Sequence, residues 1–180
     1  MAKTDPHIVL EKAAKVRLLV LDVDGVMTDG RIVYTNDGAQ IHAFHVHDGL
    51  GVKLLMKAGV DVAVISSRAS SAVERRVSEL GIGILRQGVS GKLPAYEEVR
   101  DGCMVHDDEV CAIGDDWVDL PVLLRVGLSV AVRDARSPLQ DYVDYVTGCP
   151  GGGGAVREVC DLILRARQAW GRCLEPYLGA

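Results

Sequence analysis

A chain of 180 residues with 48% hydrophobic content and a formal net charge of −5 has an ordinary globular composition, and it is long enough to bury one good core. The acidic balance argues against nucleic acid or an anionic membrane as partner, and no apolar run approaches the roughly 20 residues that cross a bilayer. The five cysteines are odd in number and show no C-x-x-C spacing, which points to reduced thiols in a cytoplasm rather than a disulfide framework or a zinc site. Met1 to Lys15 carries both signs of charge and lacks the apolar stretch of a secretory leader.

In chain order, Thr4 or Asp5 followed by Pro6 predicts a first helix up to Lys15, because Pro suits a helix's first turn. The aliphatic run that follows, about Val16 to Val23, is too short for a typical helix and predicts a strand buried on both faces. Ile32-Val33-Tyr34, the turn Thr35-Asn36-Asp37-Gly38 and the run Gln40 to Val46 predict a hairpin. Asp48-Gly49 opens a helix through Lys57. Strand and helix then alternate. Strands are predicted at Val60 to Ile65, Ile82 to Leu85, Val110 to Ile113, Leu128 to Val132 and, as a short edge, Tyr142 to Val146. Helices are predicted at Ser70 to Leu80, Lys92 to about Val99 or on toward Cys103, Trp117 to Val126, and Ala155 to Trp170. Such alternation implies an α/β fold, a parallel sheet flanked by helices, in a single domain over residues 1–180. The hairpin interrupts the alternation and carries more apolar surface than a lone hairpin should leave in water, so it is expected to pack against copies of itself in a homo-oligomer.

Four positions fall at the carboxyl ends of strands or the starts of helices, where open α/β sheets place their ligand sites. They are Asp22/Asp24, Ser66, Lys92 and Asp115/Asp116, with Asp119 one turn further on. With a side-chain period of two, Asp22 and Asp24 are expected on the same side, where they repel unless a cation lies between them or one is protonated. Together these residues supply what phosphoryl transfer needs. Clustered carboxylates hold Mg²⁺ through hard oxygen ligands, a carboxylate serves as nucleophile, and a hydroxyl and an ammonium receive the charge that spreads over the phosphoryl oxygens.

The set Asp22-Val23-Asp24-Gly25, Ser66, Lys92 and Gly114-Asp115-Asp116, in this order, resembles the haloacid dehalogenase phosphatase superfamily. The stretches Asp22 to Gly30, Phe44 to Gly51, Asp141 to Thr147 and Gly154 to Asp161 are closer still to the 3-deoxy-D-manno-octulosonate 8-phosphate phosphatase family, over roughly Val16 to Arg165. That resemblance implies a Rossmann-like fold without a cap domain, a homotetramer, and a small acidic sugar phosphate as substrate. It implies Asp22 as nucleophile and Asp24 as general acid and then base. Mg²⁺ would be held by Asp22, the backbone carbonyl of Asp24 and Asp115, with Asp116 and Asp119 supporting the metal's surroundings. Ser66 and Lys92 would bind the phosphoryl group. The remaining substrate contacts would fall on His45, Val46, His47, Asp48, Gly49, Lys53, Arg68 and Arg76.

Three positions depart from the family pattern. His47 stands where Arg is common, Ser67 where Gly is common (leaving Ser66 and Ser67 both open as the phosphate ligand), and Gly153 where Arg is common. The Gly151 to Gly154 loop is read in the family as reaching a neighbouring subunit's site; the bland alternative is a flexible linker. Competing functions are a nonulosonate 9-phosphate phosphatase, a phosphoacceptor signalling domain and a non-catalytic homologue. In a signalling receiver domain the acidic pair precedes the acceptor, whereas here it follows Lys92.

Overall fold

The computed structural model describes residues 4–179, so the leader reading at Met1 to Lys3 and the last residue of the predicted domain lie outside the described residues. Helix α1 (Pro6–Lys15) starts as its sequence requires: Asp5 accepts the His7 amide at 2.8 Å and Pro6 occupies the first position, while Val9 and Ala13 turn inward. Strand β1 (Leu18–Leu21) is buried throughout. Beyond the hairpin strands β2 (Val33–Tyr34) and β3 (Gln40–Ile41), the chain runs α2 (Val46–Lys57), β4 (Asp61–Ser66), α3 (Ser71–Leu80), β5 (Ile84–Gln87) and α4 (Lys92–Gly102). It continues through β6 (Val110–Gly114), α5 (Leu120–Leu123), β7 (Leu128–Ala131), β8 (Tyr145–Val146), α6 (Ala155–Ala166) and α7 (Trp170–Leu174).

Six strands form one parallel sheet in the order β5-β4-β1-β6-β7-β8, with β1 paired to β4 and to β6. From β1 the chain first builds outward through β4 and β5, then crosses to the other side through β6, β7 and β8. The reversal of direction leaves a crevice at the carboxyl ends of β1 and β6. Period-two alternation divides the core into two layers. Leu19, Leu21, Val62, Val64, Cys111 and Ile113 face one, with α1, α2, α3 and α6; Leu18, Val20, Ala63, Ile65 and Ala112 face the other, with α4 and α5.

Four elements depart from the sequence expectation. The helix expected over Trp117 to Val126 is a 3-10 turn over Trp117–Asp119 followed by only Leu120–Leu123. The Asp119 carboxylate folds back to accept the Asp115 and Asp116 amides at 3.0 and 3.3 Å, so these residues form a capped loop end. The helix expected to reach Trp170 ends at Ala166, where Gln168 takes a left-handed φ of 56°; helix resumes at Trp170. The second hairpin strand stops at Ile41 rather than Val46, because residues 42–45 descend toward the sheet and α2 begins two residues earlier than expected. The edge strand is likewise confined to Tyr145–Val146, after a 3-10 turn over Leu139–Tyr142.

Candidate active site

Asp22 lies one residue past β1, on the same alternation as Leu18 and Val20, so its carboxylate faces the layer occupied by α4. Lys92, the first residue of α4, meets it there: its Nζ is 2.7 Å from Asp22 Oδ1 and 2.5 Å from Asp119 Oδ1. All three side chains are almost wholly withdrawn from water. Asp115 follows β6 and completes the group, since Asp22, Asp115 and Asp119 each offer an oxygen within 4.8 Å of the others.

The electrostatics follow from burial. Three carboxylates face one ammonium, and desolvation disfavours every charge present. Burial, reinforced by Asp119, pushes Asp22 up to about 6 although Lys92 pulls the other way. Burial, with Asp22 and Asp119 beside it, pushes Asp115 up to about 7. For Lys92 burial acts to lower the pKa, but the two carboxylates outweigh it and hold the ammonium above its ordinary value. A site with surplus negative charge, hard oxygen donors and a spacing of a few ångströms fits a divalent cation such as Mg²⁺.

The turn after Asp22 is tightly knit. The amides of Val26, Met27 and Thr28 all donate to the Val23 carbonyl, and the buried Thr28 hydroxyl donates to the same carbonyl while accepting from Gly25 and Gly30. Gly25 has φ +87°, and a Cβ there would lie 2.1 Å from Asp115 Oδ2, so the turn can rest against that carboxylate only with glycine.

This turn separates the two aspartates that strand alternation placed together. Asp22 engages Lys92, whereas the Asp24 carboxylate lies 3.9 Å from His42 Nε2 on one oxygen and 3.9 Å from Arg68 Nε on the other. The two carboxylates take different partners, and because β1 ends at Leu21 its period of two does not govern Asp24. The Asp24 side chain is absent from the three-acid group, which holds Asp119 instead.

Ser66 ends β4 buried, with its hydroxyl accepting the Arg68 amide at 3.2 Å, while Ser67 is exposed. Asp116 is also exposed; its carboxylate accepts the Trp117 amide at 2.7 Å and caps the 3-10 turn, whereas Asp119 is buried with Asp22 and Lys92.

The segment expected to contact substrate divides. Val46, His47 and Lys53 are exposed on the outer face of α2, and the His47 ring lies edge-on to that of His45, 4.9 Å away. Asp48 points inward: its Oδ1 accepts the Arg157 amide at 2.8 Å at the start of α6, whose own cap residue, Gly154, has no side chain to offer. Asp48 thus caps a helix other than its own, and Gly49 is buried beside it. Arg76 is likewise held in structure, donating to the His45 carbonyl at 3.5 Å with its guanidinium 5.7 Å from the Phe44 ring centre. Among the other predicted arginines, Arg68 faces the site through Asp24.

His42 was not foreseen. It reaches Asp24 from the hairpin's return limb, nearly buried, with Nδ1 3.5 Å from the Ser70 hydroxyl and its ring stacked on Phe44. The alternation His42-x-Phe44 was its signal, but it read as a continuing strand. The glycine loop also departs from expectation. Gly151 is buried and donates to Asp134 Oδ1 at 2.9 Å, and Gly152 donates to the Val26 carbonyl at 2.9 Å, so the loop packs on its own chain's turn and is no free linker.

A family model described as haloacid dehalogenase-like hydrolase matches residues 82–158, a span with Lys92, Asp115 and Asp119 but not Asp22. The 3-deoxy-D-manno-octulosonate 8-phosphate phosphatase of Yersinia pestis is 49% identical over 159 residues, covering 88% of this chain and 85% of the relative. A crystal structure of the Yersinia pestis phosphatase matches with TM-score 0.90 at 48% identity, over 91% of this chain and 89% of that one. The Moraxella catarrhalis phosphatase, solved in complex with magnesium ion, phosphate ion and a KDO molecule, matches with TM-score 0.94 at 35% identity, over 96% of this chain and 99% of that one.

Proposed function

The chain belongs to the 3-deoxy-D-manno-octulosonate 8-phosphate phosphatase family of haloacid dehalogenase-like hydrolases, and on that premise we propose that it is a Mg²⁺-dependent phosphomonoesterase acting on that sugar phosphate. Its products are the free sugar acid and inorganic phosphate. The observation that carries this reading is the buried group of Asp22, Asp115 and Asp119 around Lys92 at the sheet's crevice.

Asp22 is the nucleophile. One of its oxygens attacks phosphorus as the bond from phosphorus to the sugar oxygen breaks, and Asp24 donates a proton to that departing oxygen. Water then attacks the aspartyl phosphate, Asp24 takes the water's proton, and phosphate leaves with Asp22 restored. Asp22, Asp115 and the backbone carbonyl of Asp24 would hold Mg²⁺, with Asp119 orienting the loop behind them through the Asp115 and Asp116 amides. When bound, Mg²⁺ supplies positive charge that offsets repulsion between the Asp22 carboxylate and the phosphate dianion. Lys92 stabilises charge on the phosphoryl oxygens, and Ser66 donates to one of them; its buried position at the end of β4 favours it over exposed Ser67. Arg68, beside Asp24, is assigned to the departing sugar. His45, His47 and Lys53 are the side chains we assign to the sugar acid's carboxylate, on the family resemblance.

The chain acts as a single phosphatase domain and assembles as a homotetramer through the hairpin. Ile32, Val33, Tyr34, Ile41 and Val46 support this assembly, because all five are large apolar side chains exposed together. The described residues contain no helix long and apolar enough to cross a membrane, and all five cysteines are free thiols, which supports a cytoplasmic location.

Steady-state kinetics with Mg²⁺ on a panel of sugar phosphates tests the assignment. The expected result is the highest kcat/KM on 3-deoxy-D-manno-octulosonate 8-phosphate. A higher value on a nonulosonate 9-phosphate would transfer the assignment to that sugar, and a stable phosphoprotein without turnover would return it to the phosphoacceptor class.

A further inference from the structure

The glycine loop and the segment after β7 together form a strap across the two acidic turns. Asp134 Oδ1 accepts the Gly151 amide at 2.9 Å, and Gly152 in turn donates to the Val26 carbonyl. Two residues after Asp134, the Arg136 amide donates to the Asp115 carbonyl at 2.7 Å. One short segment therefore grips the loop that carries Asp115 and, through the glycines, the turn that carries Asp24. The grip is tight: a Cβ on Gly151 would lie 1.7 Å from the Gly25 carbonyl oxygen, and one on Gly152 would lie 2.4 Å from the Thr28 carbonyl carbon. The far end of the strap is fixed independently, since Glu158 accepts the Gly148 and Cys149 amides at 2.8 and 3.0 Å and the Tyr145 hydroxyl at 2.7 Å. Behind the strap, Gly25 and the Asp115 carboxylate are already in contact, so pressure on the turn is transmitted directly to Asp115.

We propose that Asp134 is a positioning residue for the metal site: by holding Gly151 it presses the Gly25–Thr28 turn onto Asp115 and fixes the spacing between Asp22 and Asp115. The inference rests on the assignment of those two aspartates as Mg²⁺ ligands. Asp134 itself is exposed, so its replacement removes the hydrogen bond without opening the core.

The test is Mg²⁺ titration by calorimetry of wild type, Asp134→Ala and Asp134→Asn, alongside melting of each metal-free protein. Asn retains an acceptor oxygen for the Gly151 amide while losing the charge. The expected result is roughly a 10-fold weaker Mg²⁺ affinity in Asp134→Ala, near-wild-type affinity in Asp134→Asn, and little change in either metal-free melting temperature. Equal affinity in wild type and Asp134→Ala overturns the inference. So does an equal loss in both variants, which would assign the effect to charge alone. A wild type that takes up no Mg²⁺ at all overturns the metal-site assignment, and this inference with it.

Discussion

Lys92 stands between two carboxylates in a place nearly closed to water, and its removal would leave both uncompensated. Breaking a buried ion pair from one side costs about 3–5 kcal/mol, so Lys92→Ala is expected to lower the unfolding free energy of the metal-free protein by that order, as read from urea denaturation at pH 8. The acids make a second prediction. Asp22 and Asp115 rise from an ordinary 3.8 to about 6 and about 7, so the folded metal-free chain binds protons that the unfolded chain has released. Stability from this pair is therefore intact below about pH 4, falls as pH rises through their folded pKa values, and stays low above them. Asp115→Asn should flatten the fall between pH 5 and 8, and Mg²⁺ uptake near pH 6.5 should release protons, seen as a calorimetric heat that depends on the buffer. An unchanged pH slope in Asp115→Asn would contradict the assignment. At this scale the sequence was informative for Asp22, Lys92 and Asp115, which strand ends and a helix start bring into one buried group. It did not give the partners of Asp24 or Asp48, because each depends on how a turn or a helix end rotates its side chain, and no local pattern encodes that rotation.

Helix α6 has glycine at its N-cap and takes its capping acceptor from Asp48 of α2, more than 100 residues earlier in the chain. Loss of an N-cap acceptor costs about 0.5–2 kcal/mol, so Asp48→Ala should lower the melting temperature while KM for the sugar phosphate stays near wild type. A large KM rise with unchanged stability would instead restore Asp48 to the substrate site. The strands and most helices were legible because aliphatic runs and 3.6-residue stripes mark them; their order in the sheet was not, since pairing of β1 with both β4 and β6 is a tertiary choice. The break at Gln168 was hidden, because the apolar stripe of α6 continues into Ala169 and Cys173 across a residue that seldom adopts positive φ.

For the molecule as a whole, the hairpin sets apart an apolar surface from a sheet that is otherwise covered on both faces. If that surface joins subunits, Tyr34→Glu combined with Ile41→Glu should reduce the mass found by light scattering from that of a tetramer to smaller species. A wild type that is monomeric at micromolar concentration would exclude the hairpin interface. The central claim is that Asp22 attacks phosphate with a divalent cation beside it. The most direct measurement is the initial rate on 3-deoxy-D-manno-octulosonate 8-phosphate for chelator-treated wild type, the same protein resupplied with Mg²⁺, and Asp22→Asn with Mg²⁺. The expected result is hydrolysis only in the resupplied wild type; equal rates before and after resupply, or turnover by Asp22→Asn at the wild-type rate, would contradict it.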